Sequence, residues 1–533
     1  MGWMKKIILS QKSYNQDKSL KHEQLSLGRE APPLSKDLQE NQSNIEKAFE
    51  NATDFQMENI HVGNREGIIC YLNSMTDSSL LADKIMVPLS NSSQQDRSIA
   101  DLEEFEAYRK EFFSGVGYHF HDTLHELIDD VLAGYAGVIV DGQPKGLSLH
   151  VGNIEYRPIE EPSTQTVIRG PKEGFTESMD TNISLIRRRI QNTSLKFESM
   201  TVGKDTRTSV TIAYIDEVMN KGILAEVKKR IKKIRTHAIF DSGNVEEYIS
   251  DKSMTVFPLI YNTERPDSAA ANLLEGKAVI IVNGSPFVLI APTVFSDFFE
   301  ATEDYYQSFF IGSFIRLIRY ASFLIALTLP SFYVALTAFH HALIPTDLLF
   351  SLQAQREGVP FPAVIELLIM EITFEILREA GIRMPRAIGQ TISIVGALVI
   401  GQAAVEAGLV SNALVIVIAL TALATFVSPI ASFTAAARLL RFIFIFMAAV
   451  FGLYGILLCL FFMVAHLVSL RSFGVPYLAP IAPFIAEDQE DVFLRFPFFA
   501  NKRRPHYLKT EAPLKNPESK SPSPPASKKG DGS

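Results

Sequence analysis

Hydrophobic positions fall into two regimes along the chain. Up to about residue 300 they alternate or recur in short runs, and after Tyr320 they merge into runs long enough to span a bilayer. In the first regime, LAGYAGVIVDGQPKGLSL from Leu132 aligns without a gap to LEGKAVIIVNGSPFVLIA from Leu274, 142 residues later. Each copy sets a β-branched run before an Asp-Gly or Asn-Gly pair and a second extended run after it. That pattern predicts a hairpin closed by a two-residue turn with positive φ at both positions. Upstream, FQMENIHVGNREGIICYLNSM from Phe55 and FESMTVGKDTRTSVTIAYIDEVM from Phe197 both read strand, turn, strand, then helix. The matched spacing predicts a duplication: two related α+β subdomains over 45–160 and 190–295, joined by a linker over 161–189 rich in Pro, Glu and Ser. Residues 1–44, rich in Gln, Ser, Asn and Lys, read as a flexible arm. In EVKKRIKKIR, Leu224, Val227, Ile231 and Ile234 supply a buried helical stripe and the lysines a solvated face.

The second regime predicts a membrane domain over 305–486, with spans near 320–340, 361–380, 388–406, 412–430 and 442–468, then a basic, Pro- and Ser-rich tail over 487–533. The fold class expected is an α+β duplicated soluble N-terminal domain followed by a multi-pass α-helical membrane domain. Pro330, in the middle of the first span, marks a helix break, and 442–468 is longer than one crossing needs, so it must tilt or protrude.

The segment 361–380 carries charge. On a helix, Glu371, Glu375, Arg378 and Glu379 share one arc, while Glu366 points elsewhere and needs its own partner or water. Three readings stay open. The helix lies on the membrane surface; or its glutamates pair with arginines inside a bundle, where they outnumber Arg378; or the acidic face lines a hydrated cation path shared by several copies. Small residues in the next span, Gly389, Ser393, Gly396, Gly401 and Ala404, predict close helix packing, on which a homo-oligomer would depend.

Topology by positive charge is divided. Five crossings hold Arg383, Arg386, Arg438 and Arg441 in the cytoplasm but export the tail, and four crossings do the reverse. Re-entry of the apolar segment Phe473 to Ala486 would rescue the first arrangement.

Composition narrows the chemistry. A net charge of -8 gives no broad positive field for nucleic acid. Two cysteines, Cys70 and Cys459, exclude a disulfide framework. The first three hundred residues hold no glycine-rich phosphate loop, nucleophile elbow or paired catalytic carboxylates, so neither enzyme nor cofactor is assigned. His119, His121 and His125 form HxHxxxH, and His121 with His125 would share a helix face able to chelate a metal. With no further ligand set in view, the cluster is read as a solvated helix start and no metal is assigned. The apolar run Ile7 to Leu9 is too short for a signal-peptide core, which places the N-terminal domain in the cytoplasm.

GSPFVLIAPTVFSDFFEATEDYYQ, followed by MEITFEILREAGIRMPRAIGQTISIVGALVIGQAAVEAGLVS, resembles the A-subunit family of bacterial spore germinant receptors in motifs and in their order, over roughly Asn44 to Pro497. The resemblance implies a non-enzymatic, multi-pass protein in the lipid of the inner spore membrane. It would work with a transporter-like B subunit and a lipoprotein C subunit, and would oligomerise into a nutrient-gated cation channel. The candidate ion-path residues are then Glu366, Glu371, Glu375 and Glu379. Two other classes stay open: a secondary transporter, motivated by Pro330 and Pro429, and a membrane-anchored scaffold without a pore.

Overall fold

The computed structural model describes residues 33–92, 102–113, 115–152, 161–162, 164–383 and 401–515. The first repeat is a five-stranded sheet of β1 (Phe55–Val62), β2 (Arg65–Leu72), β3 (Tyr118–His121), β4 (Tyr135–Val140) and β5 (Gly146–His150). Its order is β1-β2-β4-β5-β3, and every neighbouring pair is antiparallel. Both faces are covered, as the alternation in β2 requires. Ile69 and Tyr71 face one cluster with Phe105 and Leu147, whereas Ile68, Cys70 and Leu72 face another with Leu127 and Val131 of α1 (Leu124–Leu132). Burial pushes the Cys70 thiol up to about 12, which leaves it inert.

The second repeat comprises β6 (Leu195–Val202), β7 (Thr208–Ile215), β8 (Tyr261–Thr263), β9 (Ala278–Val282) and β10 (Val288–Ala291), in the order β6-β7-β9-β10-β8. Strand for strand this is the order of the first sheet. Against it pack α2 (Lys221–Lys233), which buries Ile223, Leu224, Val227 and Ile231, and α3 (Pro266–Glu275). The hairpins differ from expectation in one respect: five residues, 141–145 and 283–287, separate the strands in each. The Gln143 and Ser285 amides close four-residue turns onto Val140 and Val282, and only Gly142 (φ 76°) and Gly284 (φ 89°) take positive φ. Pro144 and Pro286 follow at once and cannot donate to a ladder, so the strands resume later. Residues 164–178 lie along the second repeat: Gln165 accepts from Thr263 Oγ1, and Arg265 donates to the Gln165 and Pro171 carbonyls.

Among the described residues, 309–469 are largely helical: α4 (Phe309–Ala338), α5 (Thr346–Arg356), α6 (Ala363–Arg383), α7 (Asn412–Phe426) and α8 (Ala431–Ser469). By length and composition, α4 and α8 can each cross a membrane. α4 begins well before the apolar run at Tyr320 because its arginines are neutralised: Arg319 meets Asp304 at 2.7 Å, and Arg316 meets Asp491 at 2.8 Å. It stays helical through Pro330.

The break lies in α8, at Gly452 (φ 60°, ψ −140°), where a Cβ would stand 2.7 Å from His340 Cε1. There the helix doubles back. Phe433 in its first arm and His466 in its second both pack on Phe257 of the second repeat, although a straight helix would hold them about 50 Å apart. Gly455 lies so close to the Met447 carbonyl that any side chain would collide with it. The run expected to tilt or protrude instead forms two antiparallel arms. Each has a proximal end at the second repeat and a distal end beside His340.

The chain then returns to the second repeat. Phe473, Val475 and Ala479 enter its core, and Tyr477 donates to the Pro258 carbonyl. The apolar segment Phe473 to Ala486, weighed above as a re-entrant loop, is therefore apolar because it covers a β-domain. Among the described basic residues beyond it, Arg504 donates to the Leu274 carbonyl and Lys515 meets Glu275 at 3.2 Å on that surface.

Candidate functional site

α6 runs from the distal end of the bundle toward the proximal end, antiparallel to the first arm of α8. Successive ion pairs fix that direction: Glu371 meets Arg441, and Glu375, one turn on, meets Arg438, one turn back. Glu371 and Arg441 are fully enclosed, at 0% and 1% exposure, with Arg441 Nη1 between 3.1 and 3.2 Å from both carboxylate oxygens. Glu375, at 24% exposure, is reached by Arg378 (3.1 Å), Arg438 (3.0 Å) and Arg441 (3.4 Å). Arg378 also lies over the Phe374 and Phe426 rings and donates to Thr425 Oγ1.

Two carboxylates thus face three guanidinium groups in apolar surroundings, where one charge without the others is costly. Of the three readings of this helix, the ion pairs within a bundle are what a single copy contains. The acids do not outnumber their partners, since Arg438 and Arg441 come from far along the chain.

The outer acids behave differently. Glu366, fully buried, caps the start of α7: its Oε1 accepts from the Ser411 amide (2.5 Å) and hydroxyl (2.6 Å), and its Oε2 lies 3.6 Å from Arg356. That supplies the partner its position demanded. Glu379 is exposed, pairs with Arg383 at 2.7 Å, and edges a groove of about 780 Å³ between α6 and α8 that Ile372, Ile376, Arg438 and Leu439 also line. Among the packing positions, Gly401 approaches Val415 and Ala404 joins the cluster around Leu414, whereas Gly389, Ser393 and Gly396 lie outside the described residues.

A second charged site sits at the proximal end. Glu275, Asp297, Glu300, Glu487, Asp491 and Lys502 line a cavity of about 230 Å³. Burial, with Asp491 and Asp297 nearby, pushes the Glu300 carboxyl well above the usual range despite Arg316. Beside it, Lys277 pairs with Asp297 at 2.7 Å. Burial works against that ammonium, yet Asp297 and Glu275 outweigh it and keep the charge.

The histidines are not a solvated helix start. His119 and His121 alternate on β3, which turns both to one side, and Asp130 of α1 meets them there. Asp130 Oδ2 lies 2.8 Å from His119 Nδ1 and 2.8 Å from His121 Nε2, and the Ser148 hydroxyl on β5 donates to the same oxygen. Burial raises the Asp130 carboxyl, but bonds from Ser148, His119 and His121 outweigh it and hold it below its ordinary value. His125 points away and pairs with Asp129 at 3.7 Å. Sequence reasoning missed Asp130 and Ser148 because strand pairing, invisible in local spacing, delivers them.

Residues 43–507 match the family described as Bacillus/Clostridium GerA spore germination protein. The chain is 43% identical over 504 residues to spore germination protein KA of Bacillus subtilis (strain 168), covering 94% of this chain and 92% of that one. It is 41% identical over 475 residues to the uncharacterized membrane protein YfkQ of the same organism, covering 89% and 91%. Among solved structures, the N-terminal domain of the A subunit of the Bacillus megaterium spore germinant receptor GerK3 aligns at 32% identity, covering 50% of this chain and 99% of that domain, with a TM-score of 0.40.

Proposed function

The chain belongs to the Bacillus/Clostridium GerA spore germination protein family, and from that premise we propose a membrane subunit of a spore nutrient receptor whose helical part, as an oligomer, passes monovalent cations once a partner subunit holds nutrient. The observation that carries the mechanism is the cluster of Glu371 and Glu375 with Arg378, Arg438 and Arg441, enclosed at its Glu371–Arg441 pair. In the resting state the arginines clasp the carboxylates and cancel their field. A shift of α6 against α8 strips guanidinium from carboxylate and leaves acid facing a hydrated path, where it concentrates cations. Glu379 stands at the rim of that path. Glu366, tied to the start of α7, holds the distal end still.

The bundle supports a six-crossing topology. α4 leads away from the second repeat, α6 and α7 both return, and the two arms of α8 lead away and return, so an even count needs one outward crossing between α6 and α7, where the sequence expects the span 388–406. Arg383 and Arg438 then share the proximal side with the second repeat and residues 487–515, which meets the positive-inside rule without a re-entrant loop. That side is the cytoplasm, and the membrane is the inner membrane of the spore. A transporter-like B subunit supplies the nutrient site and a lipoprotein C subunit completes the receptor.

The test separates the two halves of the clasp. In spores carrying Glu371→Gln with Glu375→Gln, potassium release after nutrient addition should slow about tenfold or more, as for removal of a preorganised charge. Arg438→Gln should instead leak cations before nutrient is added. If both variants, at normal protein level, release ions like the parent, the clasp has no part in conduction.

A further inference from the structure

We infer that His119, His121 and Asp130 form a binding site for a divalent first-row transition cation, held at the edge strand of the first sheet. The donor set is two imidazole nitrogens and one carboxylate oxygen, a combination that suits zinc or cobalt and not calcium or magnesium. His119 Nδ1, His121 Nε2 and an Asp130 oxygen lie within 4.8 Å of one another. In a tetrahedral site with bonds near 2 Å, ligand atoms stand about 3.3 Å apart. The observed contacts of 2.8 Å between Asp130 Oδ2 and each ring are what such a set collapses to when hydrogen bonds replace the ion. An outward movement of about half an ångström opens the site.

The surroundings suit a metal centre. Ser148 donates to the ligating carboxylate, and the Tyr135 ring packs on the His119 ring at 5.3 Å, so both ligands are oriented from outside. His119 is 54% exposed and His121 12%, which gives an ion a path from solvent and leaves a fourth position for water.

The second repeat shows that the fold does not need this cluster. By the gap-free alignment Asp130 corresponds to Asn272, and Ser148 to Ile290. By strand register His119, opposite Ser148, corresponds to Tyr261, opposite Ile290, and His121, opposite Gly146, to Thr263, opposite Val288. All four positions have changed to groups that cannot hold the ion, yet the sheet is the same. There the edge strand is covered by residues 164–178; in the first repeat the half-exposed His119 lies on it.

The experiment uses the full-length chain in detergent, stripped of metal. Equilibrium dialysis against Zn²⁺ should leave one equivalent bound, and Co²⁺ should give the visible absorption of a four- or five-coordinate site. His119→Gln with His121→Gln should lose both signals, His125→Gln should keep both, and Ser148→Ala should weaken binding about 10- to 100-fold. A readout on the unaltered chain guards against misfolded variants: Zn²⁺ should slow carbethoxylation of His119 about tenfold or more and leave His125 as reactive as before. Equal zinc retention by parent and double variant, or reaction of His119 indifferent to zinc, would overturn the assignment.

Discussion

The two repeats share a strand order and differ in what they do with charge. The first keeps a small polar cluster on its edge strand, with His119 half-exposed. The second covers the matching edge with residues 164–178 and concentrates its charge at the junction with the helices, where Lys277, Asp297 and Arg316 are buried beside the part-exposed Glu300. Tyr135 stands in the first repeat where Lys277 stands in the second. The difference teaches that the β framework is indifferent to these side chains, so each copy was free to acquire its own chemistry: one suited to an ion from solvent, the other to gripping the bundle.

The strongest way to break this division is to disarm the junction. Lys277→Met leaves Asp297 buried without its partner, which costs about 3–5 kcal/mol. Folded protein recovered from membranes should drop sharply, whereas Tyr135→Phe should leave recovery near normal. Equal effects would end the distinction.

Glu246 offers a smaller effect. Burial pushes its carboxyl from 4.5 up to about 7, with Asp241 adding to the rise and a bond from Asn262 opposing it. Between those values the folded chain holds a proton that the unfolded chain releases, so stability falls as pH rises through the window. Glu246→Gln cannot ionise; it should raise the unfolding transition by about 2–4 °C at about pH 8 and leave it unchanged at about pH 4. A thermal scan at the two pH values checks this.

The smallest effect sharpens the comparison most. Giving the first repeat the residues of the second, His119→Tyr, His121→Thr and Asp130→Asn together, should move the metal-free transition by less than about 2 °C. Zinc should stabilise the parent and not the triple variant.

Much of this was legible in the chain. The gap-free match between Leu132 and Leu274 announced paired hairpins, and the stripe of Leu224, Val227 and Ile231 marked the buried face of α2, because both patterns are local. Where the sequence misled, the cause was a partner remote in the chain. Arg316 and Arg319 ended an apolar run by their charge, since nothing nearby says that Asp304 and Asp491 neutralise them. The reversal at Gly452 hid within an unbroken hydrophobic stretch, because glycine in such a run reads as packing until positive φ is seen. Periodicity puts the acidic face of α6 on one arc, but Arg438 and Arg441 lie some sixty to seventy residues on, and local pattern reads them only as topology signals. A charged residue inside an apolar helix asks for a named counter-ion, and Arg438 and Arg441, inside another apolar helix, supply one.

The clasp also orders events during synthesis. Arg441 leaves the ribosome seventy residues after Glu371. Until then the acid lacks the enclosed counter-ion it meets in the folded chain, and on the proposed six-crossing topology a carboxylate in hydrocarbon without it is expensive. On that topology α6 must wait, protonated or sheltered by the insertion machinery, until the first arm of α8 is made. The last helices of this protein are what allow an earlier one to settle.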